Sequence, residues 1–202
     1  KITSSLKTQI FHGSAPAPTT SLDHGNVIIS AEFMATDWSG DLTANSYNHL
    51  TGALDAEIWS AAAVMPATIS AYTGDGSGTV IPYLSSPLYP YYECKPLGDI
   101  INSAPVIVES PPFYYLFDDY SSFRNEQKNR TPLIYIGAND GALHAFNLAD
   151  GVEQWRYYPE SLHGDLDAAL VGTNEDMCNP LRDPAGDYCH KYFVDGSPVA
   201  AD

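Results

Sequence analysis

Basic residues are scarce in this chain of 202 residues, and charged residues make up only 17% of it. It carries 9 Lys and Arg against 25 Asp and Glu, which gives a formal net charge of −16 at pH 7. A polyanion of this kind repels nucleic acid and anionic lipid, so we predict no nucleic-acid partner. An acidic surface is expected to keep a secreted protein soluble, and it could also attract calcium or a basic partner.

Long apolar runs are also missing. None approaches the roughly 20 residues that a membrane helix requires, so we predict no membrane span. The first residues lack the charged and apolar regions of a signal peptide, and we expect any export signal to have been removed or to lie elsewhere. Since the chain starts at Lys1 and stops within a strand-like run at 197–201, we expect a processed or truncated product.

Cysteine is rare, with three residues in the chain. Cys178 and Cys189 lie close together in one polar segment, a spacing typical of a local disulfide in an oxidising compartment. Such a bond stabilises by about 3 kcal/mol in the chain-entropy description. Cys94 is left over, either as a buried thiol or as the partner of a cysteine outside the chain. The C-x-x-C-H spacing of haem attachment is absent.

Signatures of catalysis and metal binding are missing too, including the nucleophile elbow, the P-loop and the zinc motifs. His144 has no ligand partners at metal spacing, and we expect it to be packed or hydrogen-bonded. The carboxylates at 118–119, and at 165 and 167 near His163, are expected to be solvated loop residues. We therefore predict that the chain is not an enzyme.

What the chain does contain is an internal repeat of about 100 residues. The pattern G-x-L-x-A occurs at 40–44 and again at 141–145, and each copy is followed by a turn with glycine and then by a tryptophan. Further on, the pattern S-A-P-V at 103–106 returns as S-P-V at 197–199. Repeated tryptophans of this kind are typically packing anchors between repeats. The residues assigned as structural anchors are Gly40, Gly141, Trp59 and Trp155.

The second copy predicts four strands. They cover residues 104–108, 133–137, 142–147 and 152–158, and the last three are joined by tight turns that contain Asp-Gly. Four antiparallel strands form one blade of a β-propeller. The first copy predicts a similar but partial blade, with strands at 27–36, 42–47 and 57–61, and 14 tyrosines favour β-structure in general.

The predicted fold is therefore all-β, a partial β-propeller of about two four-stranded antiparallel blades with long loops. Its parts are a partial blade (1–66), an insertion loop (67–103), a full blade (104–158), a disulfide-containing loop (159–191) and the start of the next blade (192–202). Residues 109–131 are predicted as a further inter-strand loop. Because a propeller needs typically 4–8 blades, we expect the remaining blades of the same protein, or another subunit, as partners.

Several segments resemble a known family. They are 38–42 (WSGDL), 97–106 (LGDIINSAPV), 134–146 (IYIGANDGALHAF), 153–155 (EQW) with 158–159 (YP), and 192–199 (YFVDGSPV). Together they resemble the C-terminal β-propeller of the PilC/PilY family of type IV pilus tip adhesins and biogenesis factors. The run GANDGxLHAF is the most specific, and a shorter version of it is shared with quinoprotein-type propellers, which makes the fold quinoprotein-like.

The resemblance implies a secreted protein that passes through the periplasm to the pilus tip or cell surface. It implies non-catalytic roles in pilus assembly, adhesion and twitching motility, with pilin or minor pilins and a host or surface receptor as partners. It also implies an aspartate-rich calcium loop, but 74–78 is too poor in carboxylates and 183–187 has the wrong spacing. No cofactor is predicted, and calcium stays open.

Two alternatives share the blade pattern, because fold alone does not determine function. One is a fragment of a PQQ-type quinoprotein dehydrogenase, which needs a calcium-bearing cofactor bed and a catalytic aspartate in a closed ring. The other is an outer-membrane scaffold propeller without an adhesive role.

Overall fold

Two β-sheets make up most of the structure, a computed structural model. It describes residues 10–11, 17–18, 27–34, 38–48, 50–83, 97–111, 115, 118–164, 166 and 192–201. In these ranges the strands are accompanied by an α-helix, α1 (Asp118–Gln127), and by a 3₁₀ turn at Glu160–Leu162. The predicted all-β class and partial propeller are confirmed, and the two sheets do not close into a ring.

The first sheet, here called sheet A, has five strands. Three of them form an antiparallel meander, and two short strands pair with opposite ends of the free edge of its first member. The strands are β1 (Ile10–Phe11), β2 (Ala17–Pro18), β3 (Val27–Met34), β4 (Ser39–Asn48) and β5 (Ala53–Ser60).

The second sheet, sheet B, has six strands in the order β7-β6-β11-β10-β9-β8. The strands β11, β10, β9 and β8 pair with one another in antiparallel fashion, whereas β6 pairs with the other edge of β11 in parallel. The strands are β6 (Ser70–Gly74), β7 (Val80–Pro82), β8 (Val106–Val108), β9 (Leu133–Gly137), β10 (Leu143–Asn147) and β11 (Glu153–Tyr158).

The two copies of the repeat occupy equivalent places in the two sheets. Ala44, which ends the first G-x-L-x-A pattern on β4, lies opposite Trp59 on β5. Ala145, which ends the second pattern on β10, lies opposite Trp155 on β11. The strands β2 to β5 therefore correspond to β8 to β11, and each set is a four-stranded unit of the same design.

The main hydrophobic core lies between the two sheets. Side chains alternate across a strand, so each sheet contributes one apolar face, and the two faces meet. Residues of β9 and β10 that face sheet A are fully buried. The buried members are Ile29, Ala31, Leu42, Ala44, Trp59, Ala61, Leu97, Ile100, Ile134, Ile136, Ala138, Phe146 and Leu148.

The segment 67–103, predicted as an insertion loop, contains β6 and β7 and so contributes two strands to sheet B. Its glycine-rich stretch is the hairpin turn between them. There the exposed Asp75 carboxylate accepts hydrogen bonds from the backbone N–H groups of Ser77 and Thr79. That prediction was wrong because the partner of β6 is a strand far away in sequence, which no local pattern identifies.

The segment 109–131, predicted as a loop, contains the helix α1. Asp119 stands in its first turn and Arg124 in its last turn, an arrangement that favours a helix through its dipole. The helix was missed because its polar sequence, DDYSSFRNEQ, lacks the apolar periodicity of a packed helix. No helix in the described ranges combines the length and the apolar character needed to cross a bilayer.

Other predicted boundaries differ in smaller ways. The strand predicted from residue 104 starts at Val106, because Ala104 donates its backbone N–H to the Ser197 side chain instead of a neighbouring strand. Most of the segment 159–191 lies outside the described residues. The segment 192–202, predicted to start another blade, carries no strand in its described part, residues 192–201.

Candidate functional site

Trp59 joins the two sheets. Its side chain is 6% exposed, and its Nε1 donates a hydrogen bond of 3.1 Å to the backbone oxygen of Leu148 in the second repeat. The indole ring lies over Gly151, which has a φ of +72° and where an added Cβ would overlap the ring. The tryptophan of one repeat thus packs on the glycine turn of the next.

Gly40 allows the segment that precedes β8, residues 97–105, to pass directly against β4 of sheet A. Its N–H donates to the oxygen of Leu97 at 3.1 Å, and the N–H of Asp99 donates to the oxygen of Trp38 at 3.1 Å. A side chain at Gly40 would overlap the carbonyl group of Gly98. The glycine is therefore required by close backbone approach.

The other two predicted anchors lie elsewhere. Gly141 is in the β9–β10 turn with a φ of +92°, and a Cβ there would come within 2.7 Å of Leu166. Trp155 is half-buried on the face of sheet B that points away from sheet A, with its ring 5.7 Å from that of Tyr135. The structure thus brings Trp59 and Gly40 to the junction between the sheets and leaves Trp155 outside it.

We call the face of sheet B that points away from sheet A the outer face of sheet B. Tyr135, Leu143, Trp155 and Tyr157 share it, because they occupy in-register positions of the same parity on three neighbouring strands. All four side chains are partly exposed. Burial raises the pKa of the Tyr135 hydroxyl, in spite of the nearby positive charge of Arg130. An aromatic and aliphatic face of this kind is a candidate interaction surface.

A buried charged cluster lies on the opposite face of sheet B. Its members are at most 3% exposed: Asp140, His144, Glu153 and Arg156. His144 Nδ1 lies 2.8 Å from Glu153 Oε1, and its Nε2 lies 3.0 Å from Asp140 Oδ1. Arg156 donates to both oxygens of Glu153, from Nε at 2.9 Å and from Nη2 at 2.5 Å.

The electrostatics of the cluster favour its charged form. Burial alone would lower the pKa of His144, but the carboxylates of Asp140 and Glu153 outweigh it and raise that pKa to about 9. Burial alone would raise the pKa of Asp140, yet the charge and hydrogen bond of His144 lower it to about 2. Burial also raises the pKa of the neighbouring Tyr158 hydroxyl well above its ordinary value.

The cluster is arranged for support rather than for acid–base chemistry. Both nitrogens of the protonated His144 ring donate to carboxylates, so no lone pair is available to accept a proton. The second oxygen of Asp140 accepts the N–H of Gly98 at 3.2 Å, which ties the cluster to the segment that precedes β8. The expectation that His144 is packed or hydrogen-bonded is confirmed, since the ring is buried and bonded through both nitrogens. Its partners, Asp140 and Glu153, were not predicted.

Several predicted features stay untested. Cys94, Cys178 and Cys189 lie outside the described residues, so the disulfide stays a prediction. In the part of the chain that the structure describes, no group of three or more His, Cys, Asp or Glu side chains is arranged to hold a metal ion. Asp165 and Asp167 also lie outside the described residues, whereas the Nε2 of the neighbouring His163 lies 3.0 Å from the Thr73 hydroxyl.

Similarity to known proteins extends over the whole chain. A family profile described as the PilY1 beta-propeller domain matches residues 97–202. The type IV pilus biogenesis factor PilY1 of Pseudomonas aeruginosa strain UCBPP-PA14 is 27% identical over 262 residues, covering 100% of this chain and 22% of that protein. The type IV pilus biogenesis factor PilY1 homolog of Xylella fastidiosa strain Temecula1 is 28% identical over 214 residues, covering 90% of this chain and 16% of that protein.

A shorter stretch is more similar. The PilY1 of P. aeruginosa strain PAO1 is 38% identical over 113 residues, covering 52% of this chain and 9% of that protein. The chain thus spans 22% or less of the length of these relatives. No solved structure matches it.

Proposed function

Because this chain belongs to the PilY1 β-propeller family, we propose that it acts in type IV pilus biogenesis as a non-catalytic part of a propeller. The observation that carries this proposal is the match of the entire chain to a protein named as a pilus biogenesis factor. In this role the residues serve as a rigid scaffold that presents surfaces to other proteins.

The geometry supports a scaffold rather than an enzyme. In the part of the chain that the structure describes, the charged cluster around His144 is inaccessible to solvent and is held by mutual hydrogen bonds. Active sites need ionisable groups that can reach a substrate, whereas buried and fully paired groups fix a packing arrangement. The cluster therefore stabilises the β9–β10 turn, against which the segment before β8 packs through Gly98.

The finer roles follow from the same family assignment. We propose that the protein contributes to pilus assembly, adhesion and twitching motility, at the pilus tip or cell surface. Its partners there are pilin or minor pilins and a host or surface receptor. A disulfide between Cys178 and Cys189 would suit passage through the oxidising periplasm.

The test is a complementation experiment in a strain that lacks the gene. We expect the deletion to abolish surface pili and twitching zones, and the wild-type gene to restore both. Gly151→Ala, which places a methyl group against Trp59, should restore them poorly. Gly52→Ala is the matched control, since Gly52 has the same φ of +72° but only the Tyr47 hydroxyl within 4.0 Å.

Three outcomes would overturn this proposal. Normal piliation in the deletion strain would remove the pilus role. A quinone absorbance spectrum with dye-linked alcohol oxidation would indicate a quinoprotein dehydrogenase instead. Capture from envelope extracts without any pilin would favour an outer-membrane scaffold.

A further inference from the structure

The β4–β5 hairpin is longer than its counterpart in sheet B. It spans 16 residues from Ala44 to Trp59, whereas the stretch from Ala145 to Trp155 spans 11 residues. Both hairpins turn in the same way, since a glycine with a φ of +72° donates its N–H to the backbone oxygen of an asparagine four residues earlier. The additional residues therefore lengthen the two strands and leave the turn unchanged.

The added length of β5 is exposed. Residues 53–58, here called the β5 edge, are exposed at every position, and Leu54 and Ile58 are 54% and 51% exposed. In the part of the chain that the structure describes, β5 pairs with β4 on one side and with no strand on the other. An edge strand of this kind presents a row of backbone N–H and C=O groups to which another strand can pair.

The last strand of sheet B shows that such an edge accepts a further strand. β11 pairs with β6 along its outer side, in parallel and from Trp155 to Tyr158. Thr73 of β6 is buried there, and its hydroxyl donates to the backbone oxygen of Tyr158 at 2.8 Å. The strand β6 is distant from β11 in sequence, so a segment from elsewhere can complete this type of sheet. Among the described residues, none fills the corresponding side of β5.

The ionisable groups around the β5 edge are acidic. Residues 8–94 contain eight Asp and Glu and no Lys or Arg. Asp55 and Glu57 lie on the β5 edge itself, and both are exposed. By contrast, the Asp41 carboxylate on β4 accepts hydrogen bonds from the Ser60 hydroxyl and from the backbone N–H of Ala62. A negatively charged edge attracts a basic segment and repels an acidic one.

The same features oppose pairing of two copies through this edge. Such a pair would bring Asp55 and Glu57 of one copy close to those of the other, in a chain with a formal net charge of −16. The pairing of β5 also has two register shifts, one between Ala44 and Asn45 and one between Asn45 and Tyr47. Bulges and charges hinder association between identical edge strands. The occupant that the charge favours is therefore a basic segment and not a second copy.

We propose that the β5 edge binds an extended, positively charged segment of a partner protein, which adds to sheet A as a further strand. In this mode of recognition, main-chain hydrogen bonds provide affinity and side-chain contacts provide specificity. Basic side chains of the segment pair with Asp55 and Glu57, and its apolar side chains cover Leu54 and Ile58. This binding surface goes beyond the proposed role in pilus biogenesis, which assigns no residues to binding.

Binding of a synthetic strand to the 202-residue chain tests the proposal. The probe is a fluorescent peptide of alternating lysine and valine with blocked ends, and its dissociation constant is measured by fluorescence anisotropy at low salt. The same peptide with methylated backbone nitrogens should bind about tenfold more weakly, because it keeps its charge but loses its N–H donors. A peptide with glutamate in place of lysine should not bind, because it has the same sign of charge as the edge.

Amide hydrogen exchange locates the bound strand. When the lysine peptide saturates the chain, residues 53–58 should exchange about tenfold more slowly, because their outer N–H groups become hydrogen-bonded. The control is β7 (Val80–Pro82), which is the terminal strand of sheet B in the described part of the chain and carries no acidic residue. Its exchange should not change.

A matched pair of double variants separates local charge from net charge. Asp55→Lys combined with Glu57→Lys should raise the dissociation constant of the lysine peptide about tenfold. Glu126→Lys combined with Asp150→Lys changes the net charge equally at exposed positions away from the β5 edge, and it should leave the dissociation constant nearly unchanged. Urea unfolding of both double variants checks that they are folded.

Four outcomes would overturn the proposal. They are no binding of the lysine peptide, equal weakening by both double variants, protection outside residues 53–58, and protection of these residues before any peptide is added. In the last case the edge is already occupied, by a second copy if the protection depends on protein concentration and by the chain itself if it does not. All these measurements use the purified chain, so their result is independent of the role in pilus biogenesis.

Discussion

Trp59 and Leu148 meet across the two repeats, where the indole Nε1 donates to the backbone oxygen at 3.1 Å. We expect Trp59→Ala to lower the free energy of unfolding by about 3–5 kcal/mol, because it removes a large buried ring and opens a cavity. Trp155→Ala is the matched control. It should lower the free energy of unfolding by less, because that ring is partly exposed. Urea unfolding of the 202-residue chain measures both, and equal losses would contradict the assignment of Trp59 as the junction.

Gly151→Ala should lower the free energy of unfolding for two reasons, backbone strain and steric overlap. A φ of +72° strains alanine by about 1–2 kcal/mol, and the overlap with the Trp59 ring adds about 1–3 kcal/mol. Gly52→Ala carries the first cost alone, since Gly52 has the same φ and an added Cβ would make an ordinary contact of 4.0 Å with the Tyr47 hydroxyl. The difference between the two variants in urea unfolding reports the packing at the junction, and a difference near zero would mean that the ring moves aside freely.

The free energy of unfolding should fall as the pH rises above neutrality, because His144 loses its proton. Its pKa rises from 6.5 to about 9 on folding, so its contribution is fully present below pH 6.5 and is lost as the pH rises through 9. The shift corresponds to about 3 kcal/mol. We expect the difference in unfolding free energy between wild type and His144→Gln to shrink over this range. An NMR titration of the His144 ring near its ordinary pKa would refute the prediction.

Asp140 gives the complementary dependence in acid. Its pKa falls from 3.8 to about 2 in the folded protein, so its contribution is present above pH 3.8 and is lost as the pH falls through 2. We expect Asp140→Asn to be destabilised relative to wild type at pH 5 and much less so at pH 2. Parallel unfolding curves at both pH values would contradict this, and the exposed Asp150→Asn serves as the control.

Glu153 holds two positive groups, so its neutralisation should be costly. Glu153→Gln leaves the charges of His144 and Arg156 close together and buried, and breaking a buried pair in this way costs about 3–5 kcal/mol. Glu57→Gln, at an exposed position of β5, should change the unfolding free energy by less than about 0.5 kcal/mol. Thermal and urea unfolding of both variants would check this, and a stable Glu153→Gln protein would show that the cluster is dispensable.

The repeat made much of the fold predictable. The G-x-L-x-A pattern marks β4 and β10, and the tryptophan that follows marks β5 and β11, because both patterns express local pairing between neighbouring strands. The strand at 133–137 has the bounds that its apolar run predicts. Hairpins are encoded locally by alternation and by turn glycines, and so they can be read from one sequence.

Contacts between distant segments were not predictable in the same way. The pairing of β6 with β11 depends on a chain crossing between sheets. The contacts of Glu153 and Asp140 with His144 require the strand register to be known first, because a shift of one residue would point each side chain to the other face. The difference in burial between Trp59 and Trp155 also cannot be predicted from the neighbouring sequence, since it depends on what packs against each sheet.

The parallel strand β6 has a consequence for how this polypeptide can be divided. It follows β5 along the chain, yet it completes the edge of the neighbouring sheet. A fragment that begins after the β6–β7 hairpin would therefore lack two strands of sheet B. It would expose the edge of β11, and an unpaired edge strand promotes aggregation. The second repeat keeps its complete sheet only if the β6–β7 hairpin, which follows the first repeat in the sequence, is included with it. The boundaries of the sequence repeat and of the folded sheet therefore do not coincide.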